Sequence, residues 1–140
     1  MERVIALLSE SPEMLNGFLQ ASKLFESSTL DPLSREVVVM TIAVRNDCRV
    51  CIAMHTGRLR EIPDGTEMIL PLRNKEALPD ERREALRQFT LRVIATAGEV
   101  PEEEIEEFKT AGYTDRNALE VVLGIGTYTM STLANRLVRA

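Results

Sequence analysis

Apolar residues recur along this chain at helical spacing, and capping signals divide them into segments. Ser11-Pro12-Glu13 reads as an N-cap, a first helical position and a first-turn acid, followed on one face by Met14, Leu15, Phe18, Leu19 and Phe25. Asp31-Pro32 opens a second segment, running through Leu33 and Glu36 into the apolar run Val37 to Val44. The β-branched residues of that run suit a buried strand equally well, and periodicity alone does not separate the two. Helix is the assignment because no other segment offers a partner strand. Asn46-Asp47 breaks the chain and starts a third helix, with Asp47 as its cap, which reaches about Glu61 before Ile62-Pro63-Asp64-Gly65 ends it. Thr66 to Pro79 reads as a loop or a short helix. Asp80 caps a helix with Ala85, Leu86, Phe89, Val93 and Ile94 on one face, stopped by Gly98. Pro101 to Phe108 forms a short acidic helix closed by Gly112, its leading glutamates complementing the helix dipole. Thr114 caps the last helix.

Two segments, Val37 to Val44 and Val121 to Ala134, look apolar on all sides, which places them in the middle of a bundle. The second has 14 residues without a charge, short of the roughly 20 that span a bilayer. A chain of 140 residues can hardly surround two such helices, so part of their surface is expected to lie against other subunits of a homo-oligomer. Gly124 and Gly126 would allow close approach of a neighbouring backbone, within the chain or between chains. With no internal repeat, linker or low-complexity segment, residues 1–140 read as one all-α domain, a helical bundle of five or six helices.

Composition agrees: 44% hydrophobic and 28% charged residues suit one globular domain, and 4% aromatic residues with no Trp imply an aliphatic core. The net charge of -5, with basic residues dispersed among acids, argues against nucleic acid as a partner. The apolar run in Met1 to Ser9 is too short for a signal peptide, and no small-residue cleavage site follows. The cytoplasm is therefore the expected compartment, with no membrane partner. Thiols there are kept reduced, so a close cysteine pair points to catalysis or metal binding before a structural staple.

Such a pair exists. Cys48, Cys51 and His55, within Asn46-Asp47-Cys48-Arg49-Val50-Cys51-Ile52-Ala53-Met54-His55, are the only two cysteines and the only histidine of the chain. With Asp47 as cap, Cys48 would lie in the first helical turn, Cys51 one turn on, and His55 at i+4 from Cys51 on the same face. Either cysteine alone would read as a small core hydrophobe, and His55 alone as a hydrogen-bonded bystander. Together they place a dithiol beside its own base, since a helix N-terminus and a neighbouring imidazole both favour thiolate. The spacing also permits a disulfide: positions three apart on a helix hold Cβ atoms about 5–6 Å apart, close to the roughly 4 Å a disulfide needs. The base would need an orienting carboxylate. Glu36 is the candidate, although a first-turn acid favoured by the dipole of its own helix accounts for it equally well.

Glu36 followed by Cys48-x-x-Cys51-x-x-x-His55 resembles the active-site pattern of the alkylhydroperoxidase D branch of the carboxymuconolactone decarboxylase family. Leu33-Ser34-Arg35-Glu36, Ile42-Ala43-Val44, the run from Cys51 to Thr56, Ala111-Gly112-Tyr113-Thr114 and Glu120 to Leu123 add to the likeness, which covers most of the chain. The resemblance implies an all-α fold assembled as trimers or hexamers, a dithiol pocket near the subunit boundary, and participation of Glu36. Val50 stands where some members carry a second histidine, so a proton relay would run through His55, Glu36 and water.

The expected activity is a thiol-dependent peroxidase or disulfide oxidoreductase, with a hydroperoxide as substrate, an external dithiol or disulfide protein as partner, and no cofactor. The helix dipole favours Cys48 as the attacking thiol, and proximity to His55 favours Cys51; Cys51 is assigned on the strength of the base. Three rivals stand beside this reading. Cys48, Cys51, His55 and Glu36 would supply four zinc ligands of acceptable type, although structural zinc sites usually draw on two separated pairs. A decarboxylase acting on a cyclic lactone acid would use Arg35, Arg45 and Arg58 to bind carboxylate, and would not need a dithiol. A plain oligomeric scaffold would leave the cysteines inert.

Overall fold

A computed structural model describes residues 2–140; Met1, the first residue of the segment considered above as a leader, lies outside them. The described residues form eight α-helices and no strand: α1 Glu2–Leu8, α2 Pro12–Glu26, α3 Pro32–Arg45, α4 Arg49–Arg60, α5 Thr66–Asn74, α6 Glu81–Thr96, α7 Glu102–Thr110 and α8 Asp115–Leu137. The five or six helices read from sequence become eight by the addition of α1 and the resolution of Thr66–Asn74 as helix. The α5 segment was ambiguous because Pro71 sits inside it, where the missing N–H removes one bond of the ladder.

Caps act where the side chains indicated. Ser11 Oγ accepts from the Met14 amide at 3.2 Å, and Asp31 accepts from that of Ser34 at 3.2 Å. Thr114 and Asn117 form a reciprocal capping box at the start of α8. Ala97 and Gly98 both take positive φ to end α6.

Helix α3 is the axis of the molecule. It packs against α2, α4, α5, α6 and α8, and all residues from Val37 to Val44 are buried. One chain therefore encloses this apolar helix by itself, so of the two segments expected to share part of their surface with other subunits, α3 leaves none of Val37 to Val44 uncovered. Five helices around one suffice because each covers only a stripe. Helix α8 is different: Val121, Gly124 and Tyr128 face inward, while Leu119, Val122, Leu133 and Leu137 are 50–79% exposed. Gly124 serves packing within the chain, for a Cβ there would stand 2.7 Å from Phe25 Cε1 and 3.1 Å from Val38 Cγ1. Gly126 meets nothing within 4 Å.

At the start of α3, Asp31 receives Arg83 at 2.5 Å and Arg82 at 3.3 Å, which pins α3 to α6. Burial pushes the Asp31 carboxyl up, but hydrogen bonds from Ser34 and Arg83 outweigh it and hold the pKa at about 2. Among the described residues no helix is long and apolar enough to cross a membrane.

Candidate functional site

The link between α3 and α4 is only three residues long and fixes the cysteines. Asn46 closes α3, its amide bonding to Ile42 O at 2.9 Å, and Asp47 then takes φ 52°, a left-handed conformation that Asp tolerates better than most residues. The reversal leaves Cys48, with extended backbone, as the N-cap of α4. This corrects the assignment of Asp47 as cap and of Cys48 to the first turn. A full residue is spent on the sharp turn, so the helical register starts one position later. N-cap and N3 side chains lie side by side, as in a capping box. Here these positions are Cys48 and Cys51, with Cα atoms 5.3 Å apart, and a disulfide joins them.

Around the disulfide the chain converges from three helices. Cys51 is 6% exposed and lies against α8, where Asn135 Nδ2 donates to its sulfur at 3.3 Å and Ser131 Oγ stands 3.9 Å away. One turn along α4, His55 is buried, and its Nδ1 lies 2.7 Å from Glu36 Oε2 on α3. Glu36 is buried too, with Arg58 3.8 Å from its other oxygen and shared with Glu26 at 3.3 Å. Tyr128 sets the edge of its ring against His55, centroids 5.7 Å apart, and hydrogen-bonds Ser22 through its hydroxyl at 3.1 Å. Burial pushes the Tyr128 phenol above its ordinary range despite that bond.

Cys51 and His55 form part of the wall of a largely apolar cavity of about 310 Å³ between α1, α2, α4 and α8. Leu8, Phe18, Leu19 and Met54 supply much of its lining, and Lys23, Glu26 and Arg58 its charges. Such a cavity suits a small organic molecule whose polar end reaches the sulfur.

The four residues singled out from sequence thus meet in space, Glu36 and His55 in direct contact and Cys51 one turn away. Sequence reasoning missed Ser131 and Asn135, which touch the sulfur, and Tyr128, which backs the imidazole. The signal was a polar stripe at positions 128, 131 and 135, inside and just beyond a run read only as apolar. Of the arginines considered for carboxylate binding, only Arg58 reaches the site. Arg35 donates to Leu30 O at 2.6 Å, and Arg45 lines a separate small cavity with Thr41 and Leu72. The zinc set is not assembled in this state: both thiols are engaged in the disulfide, and among the described residues no three His, Cys, Asp or Glu side chains are placed to hold a metal.

Residues 10–70, the span that includes Glu36, Cys48, Cys51 and His55, match the model of the carboxymuconolactone decarboxylase family. No curated protein matches the chain. Among solved structures, the fold is similar to an alkylhydroperoxidase AhpD core from Ralstonia eutropha JMP134, described as an uncharacterized peroxidase-related protein. The TM-score is 0.80 at 21% identity, over 93% of this chain and 70% of that one. It is similar as well to an uncharacterized peroxidase-related protein from Silicibacter sp. TM1040, with TM-score 0.78 at 20% identity over 89% of this chain and 68% of the other.

Proposed function

We propose, from the match of residues 10–70 to the carboxymuconolactone decarboxylase family and the all-α fold shared with alkylhydroperoxidase-like structures, that the chain is a thiol-dependent peroxidase or disulfide oxidoreductase working through Cys48 and Cys51. The observation that carries the reading is the joining of three features at one point: a disulfide-forming pair, a buried carboxylate–imidazole contact of 2.7 Å, and an apolar cavity lined by Cys51 and His55.

In the reduced protein, Glu36 holds Nδ1 of His55, leaving Nε2 to take the Cys51 proton directly or through water. The Cys51 thiolate attacks the terminal oxygen of a hydroperoxide. The O–O bond breaks, Cys51 becomes a sulfenic acid, and the alkoxide leaves as alcohol with the proton returned by His55. The Cys48 sulfur then displaces hydroxide from the sulfenic acid, giving the disulfide and water. An external dithiol restores both thiols. Asn135 Nδ2 donates to the Cys51 sulfur, which favours its charged form. The homo-oligomer expected from sequence would use the exposed stripe of α8 formed by Leu119, Val122, Leu133 and Leu137.

The test is oxidation of the reduced protein by cumene hydroperoxide, followed by intact mass and peptide mapping. A loss of two hydrogens localised to Cys48 and Cys51, with one equivalent of cumyl alcohol, is the expected outcome. Persistent free thiols, or intermolecular dimers as the main product, would remove the reading.

A further inference from the structure

We propose, building on the redox reading above, that the disulfide is reduced through a second entrance by a small anionic thiol that attacks Cys48. The two cysteines border different cavities. Cys51 lines the apolar cavity with His55, whereas Cys48 lines a separate polar cavity of about 280 Å³ with Arg49, Arg136 and Arg139. Asn135 belongs to both walls and divides them.

Three arginines outweigh Asp47 and the terminal carboxylate of Ala140 in the lining of the second cavity. Among the described residues none of the three arginines lies within ion-pair distance of a carboxylate, and Asp47 is the one acidic side chain in the lining. Arg136 uses one nitrogen on Asn46 O at 2.7 Å, and its remaining donors are uncommitted. A second observation points to a ligand. Asn135 is 7% exposed, and while its Nδ2 is engaged with Cys51, its Oδ1 has no partner among the described residues. A thiol entering with its proton can donate that S–H to this acceptor before the proton is lost to solvent and the thiolate attacks.

The chemistry fits the placement. Thiol–disulfide exchange proceeds by attack on one sulfur with departure of the other as thiolate. A nucleophile arriving from the polar cavity reaches Cys48, and its electron pair forms the new S–S bond. The electrons of the Cys48–Cys51 bond leave on Cys51, where Asn135 Nδ2 is already donating and His55 is one turn away. The product is a mixed disulfide on Cys48 and a Cys51 thiolate. A second thiolate attacks the outer sulfur of the mixed disulfide, releasing the oxidised reductant and the Cys48 thiolate, which takes a proton from solvent. The guanidinium groups favour an incoming group in its thiolate form and draw in a second negative charge. Because Cys48 is only 1% exposed at the wall of a small cavity, a compact molecule fits this entrance better than a folded surface.

The test uses protein oxidised with diamide, so that its result is independent of any peroxide reaction. Reduction is followed with three thiols of similar size: 2-mercaptoethanesulfonate, 2-mercaptoethanol and cysteamine, with rates expressed per thiolate. The anionic thiol should exceed the neutral one by roughly tenfold, with cysteamine slowest. Added salt and the double variant Arg49→Gln/Arg139→Gln should shrink that ratio towards unity. Alkylation during reduction should place the first mixed disulfide on Cys48 and the label on Cys51. Equal rates for the three thiols, a ratio unchanged in the variant, or a first mixed disulfide on Cys51 would overturn the proposal. Failure of cumene hydroperoxide to form the disulfide would instead remove the peroxidase reading.

Discussion

Glu36 and His55 are 19 positions apart in sequence and 2.7 Å apart in the fold, and both are buried. The contact is the place to separate catalysis from stability at the level of one residue. Glu36→Gln keeps size and hydrogen-bonding ability but removes the charge that orients imidazole and stabilises imidazolium. Peroxide turnover in this variant should fall more than tenfold, about 1.4 kcal/mol or more of transition-state stabilisation, with the melting temperature nearly unchanged. A variant that melts early yet keeps its rate would make Glu36 a structural acid of α3. Legibility was uneven at this scale. Two cysteines and one histidine in a single run are conspicuous, but Ser131 and Asn135 are ordinary residues whose contact with sulfur exists only because α8 crosses the start of α4.

Helices α3 and α8 are both apolar runs, yet they occupy different environments. The crossing near Gly124 decides how closely α8 approaches α2 and α3. Gly124→Ala would push a methyl against the Phe25 ring and Val38, both essentially unexposed, and should cost about 1–3 kcal/mol in chemical denaturation. Two residues away the same change has the opposite sign. Gly126→Ala meets open space and should gain up to about 1 kcal/mol through helix propensity alone. Equal effects at the two positions would mean that the Phe25 ring yields freely and that the close approach is not a constraint. Sequence presented these glycines as equivalent, since both interrupt the same apolar run.

For the molecule as a whole, two expectations concern conditions and assembly. The Asp31 carboxyl is held at about 2 against an ordinary value of 3.8, so its contribution to stability is complete above about 4 and is lost as pH falls from there through 2. Asp80, Glu84 and Glu120 are also lowered and act in the same sense. With solvent reaching part of the Asp31 site, its share is on the order of 1–2 kcal/mol. Asp31→Asn should lose that amount at neutral pH and flatten the acid side of the stability profile measured by thermal melting. The exposed stripe of α8 sets the expectation for assembly. Leu133 is 59% exposed, and if the proposed homo-oligomer forms through this stripe, Leu133→Glu should lower the sedimentation coefficient to that of a monomer while leaving the helical content intact. An unchanged sedimentation coefficient for parent and variant would place any interface elsewhere.

What the sequence determined by itself was local. Pro at first helical positions, Ser, Asp and Thr caps, and apolar spacing marked six of the eight helices. The Cys48-x-x-Cys51-x-x-x-His55 spacing put a disulfide-capable pair and an imidazole on one helix. These features act through backbone geometry within a few residues, so no distant partner is needed to read them. Only the tertiary structure decided the rest. It moved the α4 cap from Asp47 to Cys48, because the turn out of α3 requires one left-handed residue that periodicity does not count. It enclosed α3 within one chain and left one face of α8 bare, since burial depends on how many neighbours surround a helix and not on its composition. It also brought Glu36, Ser131 and Asn135 to the sulfur and imidazole from separate helices, through packing contacts that leave no mark on the spacing of residues along the chain.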